Sequence, residues 1–304
     1  MAIAGSEQIV PASSNAQFPA FENILNLRDV GKTINDFLGE KRVVEGRLFR
    51  SARPDDATLS DRKRLKNELG IKAVMDLRTV TEHVNQAKKR EGDLKIPALL
   101  QSNEALAEPV KIPGMKYLEI NINGKGFERS LLWQLKATSF AKLATLMLLG
   151  YRMEAISILG REVMQPRGLV GLGYDSLDHC GAEIADALRA FSCSNNLPMV
   201  AHCTQGKDRT GLVITLILLL LEIPLKAITY DYCLSEAELL PERESRLVEI
   251  RQIGLTDDFA GCPPDWVEKM HAYLEGKYGG IQAYCTKIGF SEEDRTSLRD
   301  LLKG

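Results

Sequence analysis

Ten consecutive residues, His202-Cys203-Thr204-Gln205-Gly206-Lys207-Asp208-Arg209-Thr210-Gly211, set a thiol, a carboxylic acid, two basic side chains and two hydroxyls between a short apolar run and a long one. A loop joining a strand to a helix exposes successive backbone N–H groups beside the positive end of the helix dipole, which suits a phosphate-like anion. The same positive end and nearby cations favour the thiolate form of a cysteine, making Cys203 the candidate nucleophile. Arg209, six residues later, offers a planar fork that can hold two phosphoryl oxygens as their charge redistributes. Thr204, Gln205, Gly206, Lys207 and Thr210 complete the candidate anion cradle, Lys207 adding charge but no fork. Thr210 could also donate to the Cys203 sulfur or cap the helix. His202 is expected to fix the loop by backbone hydrogen bonds rather than to exchange protons.

Other readings of these residues fit less well. A Walker-type nucleotide loop needs G-x-x-x-x-G-K-[ST], but Ala201 stands at the first glycine position and Asp208 follows Lys207. A merely structural cysteine is common, yet it leaves the arrival of Gly206 through Gly211 together unaccounted for. A sulfur-transfer loop with a persulfide on Cys203 is a third reading.

The segment HCTQGKDRTG resembles the C-x5-R signature of the protein-tyrosine-phosphatase superfamily, in a form similar to the atypical tyrosine and lipid phosphatases of bacteria and fungi. Asn26-Leu-Arg-Asp-Val-Gly31, Gly46-Arg-Leu-Phe-Arg-Ser51, Asp76-Leu-Arg78 and Gly279-Gly-Ile-Gln-Ala-Tyr284 stand in the order that family shows, so the resemblance spans about residues 22–304. It implies a cysteine-phosphatase fold and a two-step reaction with no metal and no other cofactor. In that reaction Cys203 attacks phosphorus and water hydrolyses the phosphocysteine. Implied substrates are phosphoproteins of the phosphotyrosine type, phosphoinositides or a specialised small phosphate ester. The resemblance also implies an aspartic acid on a separate, earlier loop, but Tyr117-Leu-Glu-Ile-Asn-Ile-Asn-Gly124 offers Asn121 and Asn123 and no Asp. Asp208, a position related atypical phosphatases use for acid and base work, is the nearest replacement, since like charge from a thiolate and a phosphate dianion favours its protonated form. The plainer alternatives are that Asp208 favours the helix N-terminus or pairs with an arginine, and that the loop binds phosphate without turnover.

The elements that must position this loop alternate in the βα manner of an α/β fold, a mostly parallel sheet flanked by helices. Strands are expected at Leu48–Ser51, Ile71–Leu77, Tyr117–Ile122 and Met199–His202. Helices are expected at Leu59–Leu69, capped by Thr58 or Ser60, and at Val80–Glu91, Tyr174–Phe191 and Thr210–Glu222, the last ending before Pro224. Asp76 and Arg78, at the C-terminal end of a strand where ligands sit in open α/β sheets, are supporting candidates that could orient Arg209. An ion pair with Arg28 or another buried partner is the plainer expectation, and Asp29, Arg50 and Ser51 are treated alike. Residues 1–20 read as a mobile lead-in and 21–304 as one phosphatase domain, with about 125–170 a helical insertion or lid and a helical C-terminal part. Within the insertion, 131–164 reads as two amphipathic helices joined near Gly150, either extra core or an exposed face for a lid or a membrane surface. The clusters 62–66 and 88–90 read as solvated basic faces.

Lys plus Arg is 39 against 41 Asp plus Glu in 304 residues, a net charge of −2, which argues against a nucleic-acid partner. The six cysteines include no C-x-x-C pair and no zinc-like spacing, so reduced thiols in the cytoplasm and no metal site are expected. The N-terminal residues lack the pattern of a secretory signal. The longest apolar run, Leu212–Leu221 with one Thr, is about half the ~20 residues a spanning helix needs, leaving at most peripheral membrane contact.

Overall fold

A computed structural model describes residues 21–79, 82, 83, 86 and 110–304. The expected lead-in 1–20, the basic run 88–90 and most of the expected helix 80–91 lie outside these residues.

Five short strands form one sheet in the order β1-β2-β5-β3-β4. They are β1 (Arg28–Asp29), β2 (Leu48–Ser51), β3 (Ala73–Asp76), β4 (Lys116–Glu119) and β5 (Met199–His202). Only β1 runs antiparallel to its neighbour. It was missed by periodicity because Arg28 and Asp29 are not an apolar run. The second expected strand is shortened to 73–76. The third shifts to 116–119 and proves to be an edge strand with exposed Lys116 and Glu119. The central strands alternate between two cores, as a pleated sheet with both faces covered requires. Leu48, Ala73, Met75, Met199 and Ala201 face the larger one, and Phe49, Val74 and Val200 the smaller.

On the large-core side lies the helix that follows the cysteine loop, α8 (Asp208–Leu220), buried at every position from Thr210 to Leu220. Apolar residues all round a helix mark one enclosed on all sides, and each buried Leu or Ile contributes about 1.5–3 kcal/mol. It starts two residues before the sequence suggested and ends at Leu220, with Glu222 in the left-handed region before Ile223-Pro224. Around it in chain order are α1 (Val30–Leu38), α6 (Gln165–His179), α7 (Gly181–Phe191), α9 (Leu225–Glu238), α10 (Arg243–Gln252), α11 (Trp266–Tyr273), α12 (Ile281–Lys287) and α13 (Glu292–Leu302). The single helix expected over 174–191 is two, because Cys180 leaves helical angles between α6 and α7. The other face carries α2 (Leu59–Asn67), capped by Thr58 and Asp61 in a reciprocal capping box. Arg62, expected on a solvated face, turns inward and donates to the Ala57 carbonyl.

The insertion differs most from expectation. It holds α3 (Lys125–Trp133), α4 (Ala137–Leu148) and α5 (Arg152–Leu159), with a wider π-turn at Gly160–Met164. Phe127, Leu131, Ala155, Ile158 and Val163 join the core, but α4 has no buried residue. For α4 the extra-core reading is therefore replaced by the exposed one.

Candidate active site

The register of the sheet sets the site. His202, last in β5, lies opposite Ser51 on one side and Asp76 on the other, so the loop from Cys203 emerges between the C-terminal ends of three parallel strands. That edge is where open α/β sheets place ligands.

The loop is held by its carbonyls. His202 Nδ1 lies 3.1 Å from the Cys203 oxygen and the Arg53 amide donates to Thr204 O. Asn26 Nδ2 donates to Gln205 O (3.0 Å) and Gly206 O (3.2 Å), and Arg50 Nη2 donates to Gly206 O at 2.7 Å. With its acceptors tied to the scaffold, the loop can offer its N–H groups to an anion in its crook. Gly206 makes this course possible: its φ is +65°, and a Cβ there would stand 1.9 Å from the Ser51 oxygen.

Behind the ties stands Asp231 of α9, which sequence reasoning missed. Its carboxylate pairs with Arg28 Nε at 2.7 Å and Arg50 Nη1 at 2.5 Å, and all three side chains are buried. Arg28 also donates to the Asn26 side-chain oxygen, so two arms run from Asp231 to the loop, one through Arg50 and one through Arg28 and Asn26. Burial opposes the Asp231 charge, but the two guanidinium groups hold its carboxyl below the ordinary value. Arg28 thus pairs with Asp231 and not with the β3 acid. Arg78 instead grips Asp76 and Asp55 with both edges of its guanidinium, at 2.6–3.2 Å. Against the effect of burial, His202 and Arg78 lower the Asp76 carboxyl to about 2. His202 itself, with Nε2 3.5 Å from Asp76, is pushed down by burial against the opposing pull of that carboxylate.

Cys203 is 3% exposed at the foot of the loop. Arg209, on the first turn of α8, points both terminal nitrogens at Glu82 (2.7 and 2.6 Å) and one at Leu77 O. Glu82 also accepts from the Thr204 hydroxyl at 2.5 Å. Burial works to raise the Glu82 carboxyl, but the Arg209 fork wins and holds it well below the usual range. Glu82 is the second residue the sequence reading missed. Its signal was an acid four residues after Arg78, just past the C-terminal end of β3.

The other loop side chains diverge. Lys207 is fully buried and its ammonium donates to Phe259 O (2.9 Å) and Gly261 O (2.8 Å), so its charge anchors the C-terminal part and only its backbone belongs to the cradle. Gln205 is buried. The Thr210 hydroxyl is buried and meets no hydrogen-bond partner among the described residues. Asp208 pairs with no arginine among the described residues. Its Oδ1 stands 3.7 Å from Lys207 Nζ and accepts no hydrogen bond there.

Asp208 and Arg209 together line a cavity of about 190 Å³. Phe127, Leu169, Leu172, Leu212, Ile250 and Trp266 make its walls apolar, while Asn123, Ser176 and Arg246 supply polar groups. The stretch after β4 does reach the site, but through Asn123, whose amide can donate a hydrogen bond and cannot release a proton as an acid would. A larger cavity of about 330 Å³, between Arg47, Lys72 and Leu301, sits by the opposite ends of the strands and contains none of these groups.

Comparisons with known proteins give the family. The sequence profile described as "Tyrosine phosphatase family" matches residues 19–304. A tyrosine-protein phosphatase of Nostoc commune is 26% identical over 164 residues, 48% of this chain and 55% of that protein. The triple specificity protein phosphatase PtpB of Mycobacterium tuberculosis is 25% identical over 123 residues, 35% of this chain and 44% of that protein. The chain thus spans about half the length of these two relatives. With a thiol, a guanidinium and a carboxyl on one strand-to-helix loop, and the profile matching nearly the whole chain, this protein belongs to the tyrosine phosphatase family.

Proposed function

We propose that the protein hydrolyses phosphomonoesters of the phosphotyrosine or phosphoinositide type through a cysteinyl-phosphate. The observation that carries this reading is the placement of Asp208 and Arg209 on one apolar-walled cavity, on the same tied-back loop as Cys203. The relatives' names, a tyrosine-protein phosphatase and a triple specificity protein phosphatase, support it.

Loop amides and Arg209 hold the phosphoryl oxygens. The Cys203 sulfur donates an electron pair to phosphorus, the P–O ester bond breaks, and its electrons go to the leaving oxygen. Asp208 protonates that oxygen, the role Asn123 cannot take. A water molecule then attacks phosphorus and gives its proton to Asp208. The S–P bond breaks with its electron pair returning to Cys203.

The test is hydrolysis of an aryl phosphate in reducing buffer with EDTA. Activity is expected in the wild type and lost in Cys203→Ser. Asp208→Asn is expected to lower turnover while leaving vanadate binding intact. Unchanged hydrolysis by Cys203→Ser would sink the mechanism. Asn123 in place of an acid also favours a second reading, phosphate binding without turnover, which holds if the wild type binds vanadate and hydrolyses neither aryl phosphate nor phosphoinositide.

A further inference from the structure

We propose that the hairpin of α4 and α5 is a docking element for an anionic membrane surface. More than half of the exposed large apolar side chains among the described residues fall within 133–153. Trp133 is 82% exposed, Leu148 89% and Leu149 65%, and Phe140, Met147 and Tyr151 are exposed with them. Isolated exposed apolar residues need no explanation, but a contiguous set does. Helix α4 packs chiefly against α5, and Leu148, Leu149 and Tyr151 cluster about the Gly150 turn that joins them. An apolar set gathered at a turn suits a yielding boundary such as the headgroup region better than a rigid groove.

Charge selects the partner. Residues 128–154 carry Arg129, Lys136, Lys142 and Arg152 against Glu128 and Glu154, a net charge of +2 in a chain whose net charge is −2. All four basic side chains are on exposed residues. A second copy of this chain seated face to face would bring like charges together, whereas anionic lipid complements them. Exposed Trp133, Leu148 and Leu149 with exposed Lys and Arg between and beside them in sequence match the composition of an interfacial element, whose apolar side chains sink about 5–10 Å into the headgroup boundary. At 12 residues α4 is about 18 Å long, short of the ~30 Å hydrocarbon core, so it lies on the surface and does not cross.

The hairpin is tied to the site at both ends. Phe127, at the start of α3, and Met164, at the end of the π-turn, both line the cavity beside Asp208 and Arg209. A bilayer gripping the hairpin therefore lies beside the element that walls the cavity.

The experiment is flotation of the full-length protein with vesicles of phosphatidylcholine alone or with 30% phosphatidylserine, read together with tryptophan emission. Of the two tryptophans, Trp133 is exposed and Trp266 buried, so a blue shift on binding reports Trp133. Binding is expected on the anionic vesicles, falling with salt, and little on the neutral ones. Lys136→Gln with Lys142→Gln is expected to lower partitioning about 25-fold, at about fivefold per lost cation. Leu148→Glu with Leu149→Glu is expected to abolish it. Both variants keep the wild-type melting temperature and soluble-substrate activity, because these side chains are exposed and outside the cavity. No binding to anionic vesicles, equal binding by the variants, or a dimer in sedimentation velocity that Leu148→Glu with Leu149→Glu dissolves would each overturn the proposal. Vesicle binding requires no turnover, so its failure is separate from failure of the phosphatase reading.

Discussion

Replacing Gly206 by alanine tests how tightly the loop is held. At φ +65° an L-residue costs about 1–2 kcal/mol, and the new Cβ would lie 1.9 Å from Ser51 O, 2.4 Å from Ser51 C and 2.8 Å from Ala52 N. The clashing atoms are backbone at the end of β2, held in register opposite β5, so no side chain can swing aside. Restoring an ordinary contact of about 3.4 Å moves the loop by about 1.5 Å. Such a shift also strains the Arg50 bond to the Gly206 carbonyl. A misplacement of about 1 Å costs on the order of 100-fold in a positioned reaction, so kcat/KM for an aryl phosphate should fall at least that far. Strain and overpacking together should lower stability by about 2–5 kcal/mol in urea denaturation followed by circular dichroism. A Gly206→Ala protein with kcat/KM within threefold of wild type, at matched folded fraction, would refute the close-approach argument.

Three further outcomes are expected. Asp231→Asn leaves two buried guanidinium groups without their shared carboxylate, so urea denaturation should show a loss of about 3–5 kcal/mol, and a loss below about 1 kcal/mol would contradict the two-armed support. The Asp76 carboxyl, lowered from 3.8 to about 2, adds stability above pH 4 that is lost as the pH falls from about 4 to about 2. The stability difference between wild type and Asp76→Asn should therefore shrink across that window by about 2.5 kcal/mol, and a difference flat with pH would contradict the assignment. Lys207→Met strips the Phe259 and Gly261 carbonyls of their buried donor, at about 1–3 kcal/mol, and hydrogen exchange over 257–262 should quicken. Unchanged exchange there would show that the ammonium does not anchor that segment.

What the sequence revealed depended on how local the signal was. Cys203, Asp208 and Arg209 are legible because one loop carries them all and its flanks switch from a short apolar run to a long one. The strands Leu48–Ser51 and Met199–His202 were found to the residue, each from a short, at least partly apolar segment that is buried throughout. Glu82 and Asp231 act on residues 127 and 203 positions away, and no spacing rule reaches that far. The loop letters also say nothing of side-chain direction, so Lys207 could not be told from a phosphate ligand until its carbonyl partners were seen. For helix α4 the sequence left two readings open, for a different reason. An amphipathic stripe reads the same whether its partner is the protein core or something outside it.

The strand order bears on how the chain is made. Strands β2 and β3 follow one another in sequence, yet β5 lies between them and is synthesised last of the five. Until residues 199–202 leave the ribosome, β2 and β3 cannot close around their central partner, and their unpaired edges are templates for association with other chains. Joining β2 to β5 closes a stretch of about 150 residues, the kind of non-local pairing that slows folding. The strand that completes the sheet is also the one that delivers Cys203. A nascent or truncated chain ending short of it therefore exposes sticky edges and lacks Cys203, a natural client for chaperones or proteases.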